Sequence, residues 1–157
     1  MECKKTLQTI LERCGKHSKH FHYPHEGMER ALRFWLASEL FHAELNWKFS
    51  DIFLGEMFDM MLITRNLHPV VYVETKAPTS RKVEGRERFF QRIPAYGTIK
   101  YAIFTNGWMW EKYFCSYNKN KLVINKDPDR LDMNKNPTSN VVNTYFSSIS
   151  SAWFKGS

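Results

Sequence analysis

The chain of 157 residues carries 23 Lys and Arg against 16 Asp and Glu, a formal net charge of +7. With 43% hydrophobic residues it is not a wholly disordered polymer, and a domain of this size buries roughly 70% of its unfolded surface, so it needs no disulfide or metal staple. No apolar run approaches the ~18 residues that span a bilayer, the opening residues lack a signal-peptide core, and three cysteines without a CxxC pair read as thiols of a reducing compartment. These features predict a soluble intracellular protein with no membrane partner, located in the cytoplasm, or in the host cytoplasm if a virus or mobile element encodes it. The basic balance favours a polyanion, nucleic acid first.

Along the chain, Leu7, Ile10, Leu11 and Cys14 recur at helical spacing and predict a helix over 6–14, with Gly15 as its stop. Residues 15–27 are polar and His-rich, with Pro24 and Gly27, and predict a loop. Met28, Leu32, Trp35, Leu36 and Leu40 form one face of a longer helix over 28–45. The period then changes. Residues 47–54 are a weak strand candidate ended by Gly55, whereas 58–64 and 70–76 are stronger strands. Residues 82–93 are charged, with Phe89, Phe90 and Ile93 on one side, and predict a helix ending near Pro94. A β run over 99–105, the turn signal Asn106-Gly107 and a returning strand over 108–114 make a hairpin, followed by a short strand over 121–124. Beyond Pro137, Val141, Val142, Tyr145, Phe146, Ile149, Ala152 and Trp153 suit a tail helix whose apolar face is either core or a homodimer surface. The order predicts one domain over 1–157 of the α/β (α+β) class, a central mixed β-sheet flanked by helices.

Two acids and a lysine stand where strands of this kind prefer apolar side chains. Asp59 heads one strand, and Glu74 and Lys76 fall on one face of the next because strand side chains alternate. If the strands are neighbours, the Asp59 carboxylate can converge on that pair. Two such carboxylates can hold a hard divalent cation through oxygen; the cation would polarise a phosphate and lower the pKa of water, and an ammonium nearby would orient that water and offset transition-state charge. The plainer alternative is a surface ion pair between Glu74 and Lys76 on an edge strand.

Asp59 followed by Glu74-Thr75-Lys76 after an apolar strand resembles the PD-(D/E)xK nuclease superfamily, in the flavour of the nuclease domain of type I restriction motor subunits. The resemblance covers roughly residues 28–114. It rests on Met28-Glu29-Arg30, Asn46-Trp47, Phe58-Asp59-Met60, Val73-Glu74-Thr75-Lys76, the stretch from Gln91 to Tyr96, and Tyr101-Ala102-Ile103-Phe104-Thr105-Asn106-Gly107-Trp108-Met109-Trp110. It implies a restriction-endonuclease-like core over about 28–115 and a deoxyribonuclease that uses Mg²⁺ or Mn²⁺ to hydrolyse double-stranded DNA. In that scheme Asp59 and Glu74 are the metal ligands, Lys76 positions the water, and Glu29 supports the metal shell from the helix, with Glu39 as the other helix carboxylate. Some relatives carry a catalytic carboxylate on the helix after the E-x-K strand, which makes Glu84 and Glu87 reserves, with Gln91 beside them. The chain departs from the pattern in three ways: no Pro precedes Asp59, the interval from Gln91 to Tyr96 is one residue longer than Q-x-x-x-Y, and no helicase motor follows, which implies a free-standing nuclease domain.

The basic run Arg81, Lys82, Arg86, Arg88 and Arg92 follows the E-x-K strand directly and could clamp a phosphate backbone; the alternative is a solvated helix face. A non-catalytic nucleic-acid-binding protein would use the same surface. His17, His20, His22 and His25 have zinc-like spacing without a cysteine pair, so a solvated loop is the better account. Trp108 and Trp110 could stack on bases, but strand alternation favours packing within the hairpin.

Overall fold

The structure is a computed structural model that describes residues 1–21, 25–56, 58–78, 84–94 and 96–155. Helix α1 spans Cys3–Phe21 and buries Leu7, Ile10, Leu11 and Cys14 along one stripe. It runs through Gly15 where the sequence predicts a stop. Gly in an exposed helix interior costs only about 1 kcal/mol, and the buried stripe that precedes it holds the helix in place. The loop predicted over 15–27 is thus helical as far as Phe21, and helix α2 (His25–Trp35) begins at His25. Helix α2 continues as a wider π-helical segment, Leu36–Glu44. Leu36, Leu40 and Phe41 of this segment, and Leu45 just after it, are all buried, at the step set by hydrogen bonds five residues apart. The Leu45 N–H bonds Leu40 O at 3.0 Å, and Asn46 in the left-handed region (φ 59°) ends the run.

The strand predicted over 47–54 shrinks to a 3₁₀ turn, Phe49–Asp51, and a two-residue strand β1, Ile52–Phe53. Trp47 and Ile52 face the core there; Phe49, Phe53 and Leu54 are exposed. The strong strands form as predicted: β2 (Met60–Ile63), β3 (Pro69–Thr75), β4 (Tyr101–Thr105), β5 (Met109–Asn118) and β6 (Lys121–Ile124), with helix α3 (Arg86–Arg92) crossing from β3 to β4. A seventh strand, β7 (Asp129–Asp132), was not predicted, since only Leu131 of its four residues points into the core. The sheet order is β1-β2-β3-β4-β5-β6, with β7 also on β5. The pair β3·β4 is parallel and the other pairs are antiparallel.

Helices cover both faces. Helices α1, α2 and α4 (Ser139–Ser147) pack on Val71, Val73, Ile103 and Trp110. On the other face α3 packs through Phe89 and Ile93 onto Tyr72, Ala102, Phe104 and Tyr113. Of the predicted tail face, Val142, Tyr145, Phe146 and Ile149 are buried in the core, whereas Val141, Ala152 and Trp153 are exposed. Lys112 on β5, itself buried, ties α4 down by donating to Tyr145 O at 2.7 Å and Ser148 Oγ at 2.8 Å. Asn106-Gly107 makes the β4–β5 hairpin: the Asn106 side chain accepts from the N–H groups of Trp108 and Met109 at 3.0 and 2.9 Å. Trp110 is fully buried and its indole N–H bonds Gly107 O at 2.9 Å, so it packs and is not offered to bases. Among the described residues no helix is long and apolar enough to cross a membrane.

Candidate active site

Strand β3 lies between β2 and β4, with both faces covered, and its alternation points Tyr72 and Glu74 toward α3 and Thr75 toward α2. Glu74 is therefore no edge-strand surface group. Its side chain is 1% exposed. Tyr72 donates its hydroxyl to Glu74 Oε2 at 3.2 Å. Lys76 Nζ stands 2.8 Å from Oε1 and Arg92, from the end of α3, 3.6 Å. Neither cation meets hydrogen-bond geometry, so Oε1 is a buried carboxylate oxygen with charge partners but no hydrogen bond. Such an atom is costly to bury and marks a place where a further partner would be stabilising.

Asp59 lies one residue before Met60, whose cross-strand partner is Val73, so the antiparallel register brings it to the Glu74 end of β3. Its Oδ2 accepts from the Thr75 N–H at 2.7 Å and from the Thr75 hydroxyl at 3.0 Å. Its Oδ1 pairs with Arg33 Nη2 at 2.8 Å. The Tyr72 hydroxyl feels both acids. Burial first, and then the charges of Glu74 and Asp59, raise its pKa well above the usual phenol value. Asp59 and Glu74 thus meet the same end of β3 from different sides: Glu74 pairs with Lys76 and Arg92 on the α3 side, and Asp59 pairs with Thr75 and Arg33 on the α2 side. Among the described residues no group of three or more His, Cys, Asp or Glu side chains is gathered to hold a metal.

The helix carboxylates separate cleanly. Glu39 is bound by Arg13 of α1 through Nη1 and Nη2, and no described contact joins it to Asp59 or Glu74. Glu29 is on the Asp59 side: Arg33 Nη2, the atom on Asp59, also lies 3.7 Å from Glu29 Oε1. Glu84, Glu87 and Gln91 are exposed, and no described ion pair or hydrogen bond joins them to Asp59 or Glu74. Arg81 and Lys82 lie outside the described residues, as does the side chain of His25 and all of His22. His17 packs edge-on to Trp35 at 5.3 Å between ring centroids.

Two members of the predicted phosphate clamp face inward. Arg92 serves Glu74, as above. Arg86 bonds a second buried acid, Glu111 on β5, with its Nε 2.7 Å from Oε1. Glu111 is 1% exposed and its Oε2 accepts from the Tyr113 hydroxyl at 2.8 Å. Register places Glu74, Phe104 and Glu111 side by side on β3, β4 and β5. Helix α3 spans that row, with the Phe89 ring 5.0 Å from Phe104, 5.7 Å from Tyr113 and 5.9 Å from Tyr72. Arg88 is exposed and carries no described ion pair, so among the described members of the run it is the one left for solvent or phosphate.

Sequence reasoning missed Arg33, Thr75 and Glu111. Arg33 had a signal, since it follows Glu29 by four residues on one helical face. Thr75 and Glu111 had none that a local pattern carries. A cleft of about 530 Å³, lined by Trp47, Ile63, Thr64 and Phe154, opens at the far end of β2 from Asp59 and holds no acid pair. Set against known proteins, the chain matches no family model, no curated protein and no solved structure.

Proposed function

We propose that the protein is a divalent-metal-dependent nuclease that hydrolyses phosphodiester bonds of DNA, double-stranded DNA first. The observation that carries this is Glu74 Oε1, a buried carboxylate oxygen without a hydrogen bond, beside Lys76 at the strand end that Asp59 reaches through Thr75. The donor set fits a hard cation such as Mg²⁺ or Mn²⁺, because it is oxygen only. Asp59 and Glu74 would hold the ion, which would polarise the phosphate and lower the pKa of water.

The chain's own groups do the rest. Thr75 fixes Asp59 through its N–H and hydroxyl, so one carboxylate arrives preoriented. Tyr72 fixes Glu74 Oε2 and leaves Oε1 without a hydrogen bond. Lys76, 29% exposed, reaches from Glu74 to solvent and would orient water and offset developing negative charge. Arg88 would contribute a sequence-independent phosphate contact. The order helix, Asp strand, E-x-K strand, helix, strand agrees with the resemblance to PD-(D/E)xK nucleases.

A second reading, a non-catalytic nucleic-acid-binding protein, is favoured by one observation: Asp59 and Glu74 already hold protein cations. Incubation with linear and circular duplex DNA, with Mg²⁺ or with excess chelator, separates the two. The nuclease reading requires cleavage that stops with chelator. DNA binding without cleavage under any divalent ion would select the second.

A further inference from the structure

Arg33 is the cation that the sequence did not foresee. One nitrogen, Nη2, bridges Asp59 Oδ1 at 2.8 Å and Glu29 Oε1 at 3.7 Å, and Nε donates to Thr75 Oγ1 at 3.3 Å. The guanidinium therefore stands between the helix carboxylate and the strand carboxylate, on the oxygen that a metal ion at Asp59 would need. Its side chain is 19% exposed, so it is held among these groups and not adrift in solvent.

Charge counting sharpens the point. Glu29, Asp59 and Glu74 are balanced by Arg33, Lys76 and Arg92. Among the described residues the charges of these ion pairs balance. A divalent cation added there meets two carboxylates already neutralised, at distances where like charges repel appreciably in a partly buried site. A phosphodiester brings a negative charge and acceptor oxygens suited to the planar guanidinium fork. Phosphate arriving at the site would thus draw Arg33 from Asp59 and free Oδ1 for the ion, while the ion would offset the phosphate charge.

We infer that Arg33 is a positioning residue that couples the two ligands: it occupies Asp59 in the free protein, and divalent-ion binding and DNA-phosphate binding strengthen each other through its release. This rests on the nuclease reading above. Linkage makes the effect reciprocal, with a coupling of the order of tenfold in affinity. The role of Arg33 in the free protein is to keep a crowded acid site paired. Its role in the complex is to hold the phosphate against the ion.

The test is a calorimetric titration of the full chain with Ca²⁺, a hard oxygen-seeking probe, with and without a short DNA duplex. In the wild-type protein the duplex should tighten Ca²⁺ binding by about tenfold. Arg33→Gln removes the competing charge, so its free form should bind Ca²⁺ about tenfold more tightly than wild type, and the gain from DNA should shrink to within about threefold. Arg33→Lys keeps the charge but cannot reach Thr75, Asp59 and Glu29 together, and its free form should bind about threefold more tightly. A thermal melt accompanies each variant, and Arg33→Lys decides the matter if Arg33→Gln does not fold. Wild-type Ca²⁺ affinity in a folded Arg33 variant would overturn the coupling role and leave the metal site standing. No Ca²⁺ binding by any form, with or without DNA, would overturn the nuclease reading and this inference with it.

Discussion

Replacing Glu111 by Ala asks whether the two buried acids of the sheet divide into one structural and one functional group. Glu111 is 1% exposed and accepts from Arg86 on Oε1 and from Tyr113 on Oε2, with Arg130 3.7 Å away. Breaking a fully buried ion pair costs about 3–5 kcal/mol. Arg86 is 44% exposed and can return to water, so that range is an upper limit here. The Tyr113 hydroxyl is buried and cannot, and an orphaned buried donor costs about 1–3 kcal/mol. Adding the lost charge-assisted bond gives about 3 kcal/mol, or roughly 6–12 °C in Tm for a chain of this size. Glu111→Gln should lose only about 1 kcal/mol, because its amide can accept from Arg86 and donate to Tyr113. Urea denaturation followed by far-UV circular dichroism reads both. Tyr113 supplies an internal check. Burial first and Glu111 second push its pKa up to about 12, so removing Glu111 should bring the ultraviolet titration down while burial keeps it above that of free tyrosine. A loss below about 1 kcal/mol in Glu111→Ala, with an unchanged denaturant slope, would refute the structural assignment.

Further expectations follow from single sites. Arg88→Ala should weaken DNA binding equally across sequences and lower the salt slope by about one unit, whereas Arg86→Ala should act on stability; equal slopes in wild type and Arg88→Ala would place the DNA surface elsewhere. Glu44 on the π-helical segment accepts from the Glu2 N–H at 2.7 Å and the Thr6 hydroxyl at 2.8 Å. Burial raises its pKa, but these bonds outweigh burial and the net shift is downward. A carboxylate lowered on folding adds stability above its unfolded pKa and loses it as pH falls through the folded value. Glu44→Gln should therefore cost stability at neutral pH and converge with wild type in acid, as pH falls below the ordinary glutamate range and through the lowered folded value, and parallel melts across that window would check it. Gly107 has φ +86°, and a Cβ there would meet Leu11 Cδ2 at 3.0 Å and a Leu32 methyl at 3.2 Å. Gly107→Ala should cost about 1–3 kcal/mol in a chemical melt, and a neutral result would remove the hairpin's close seat on α1 and α2 from the account.

The parts of the fold that were legible in the sequence are those with a strong local period. Val70 to Val73 is continuously apolar because β3 is covered on both faces, and Asn106-Gly107 is a turn whose chemistry is local. The extension of α1 past Gly15 was not legible, because a glycine that costs about 1 kcal/mol is outweighed by packing elsewhere on the helix. Strand β7 was hidden for the opposite reason, since one inward Leu131 among polar neighbours makes no period. In the site, Glu74 and Lys76 could be placed on one face by alternation alone. Their partners could not. Arg33 meets Thr75 across 42 residues and Arg86 meets Glu111 across 25, and such pairings are set by how α2 and α3 cross the sheet. A count of basic residues likewise cannot tell an arginine that faces phosphate from one that faces a buried glutamate, so Arg86, Arg88 and Arg92 looked alike until their neighbours were known.

The most direct test of the central claim is a DNA cleavage time course with Mg²⁺ for wild type and Glu74→Gln, paired with thermal melts. Gln keeps an acceptor for Tyr72, and Lys76 and Arg92, 29% and 40% exposed, can turn to solvent, so the variant should fold. Losing the charged ligand should raise the barrier by several kcal/mol, which slows cleavage at least ~100-fold. Cleavage at close to the wild-type rate by a folded Glu74→Gln protein, or wild-type cleavage that persists in excess chelator, would contradict the account.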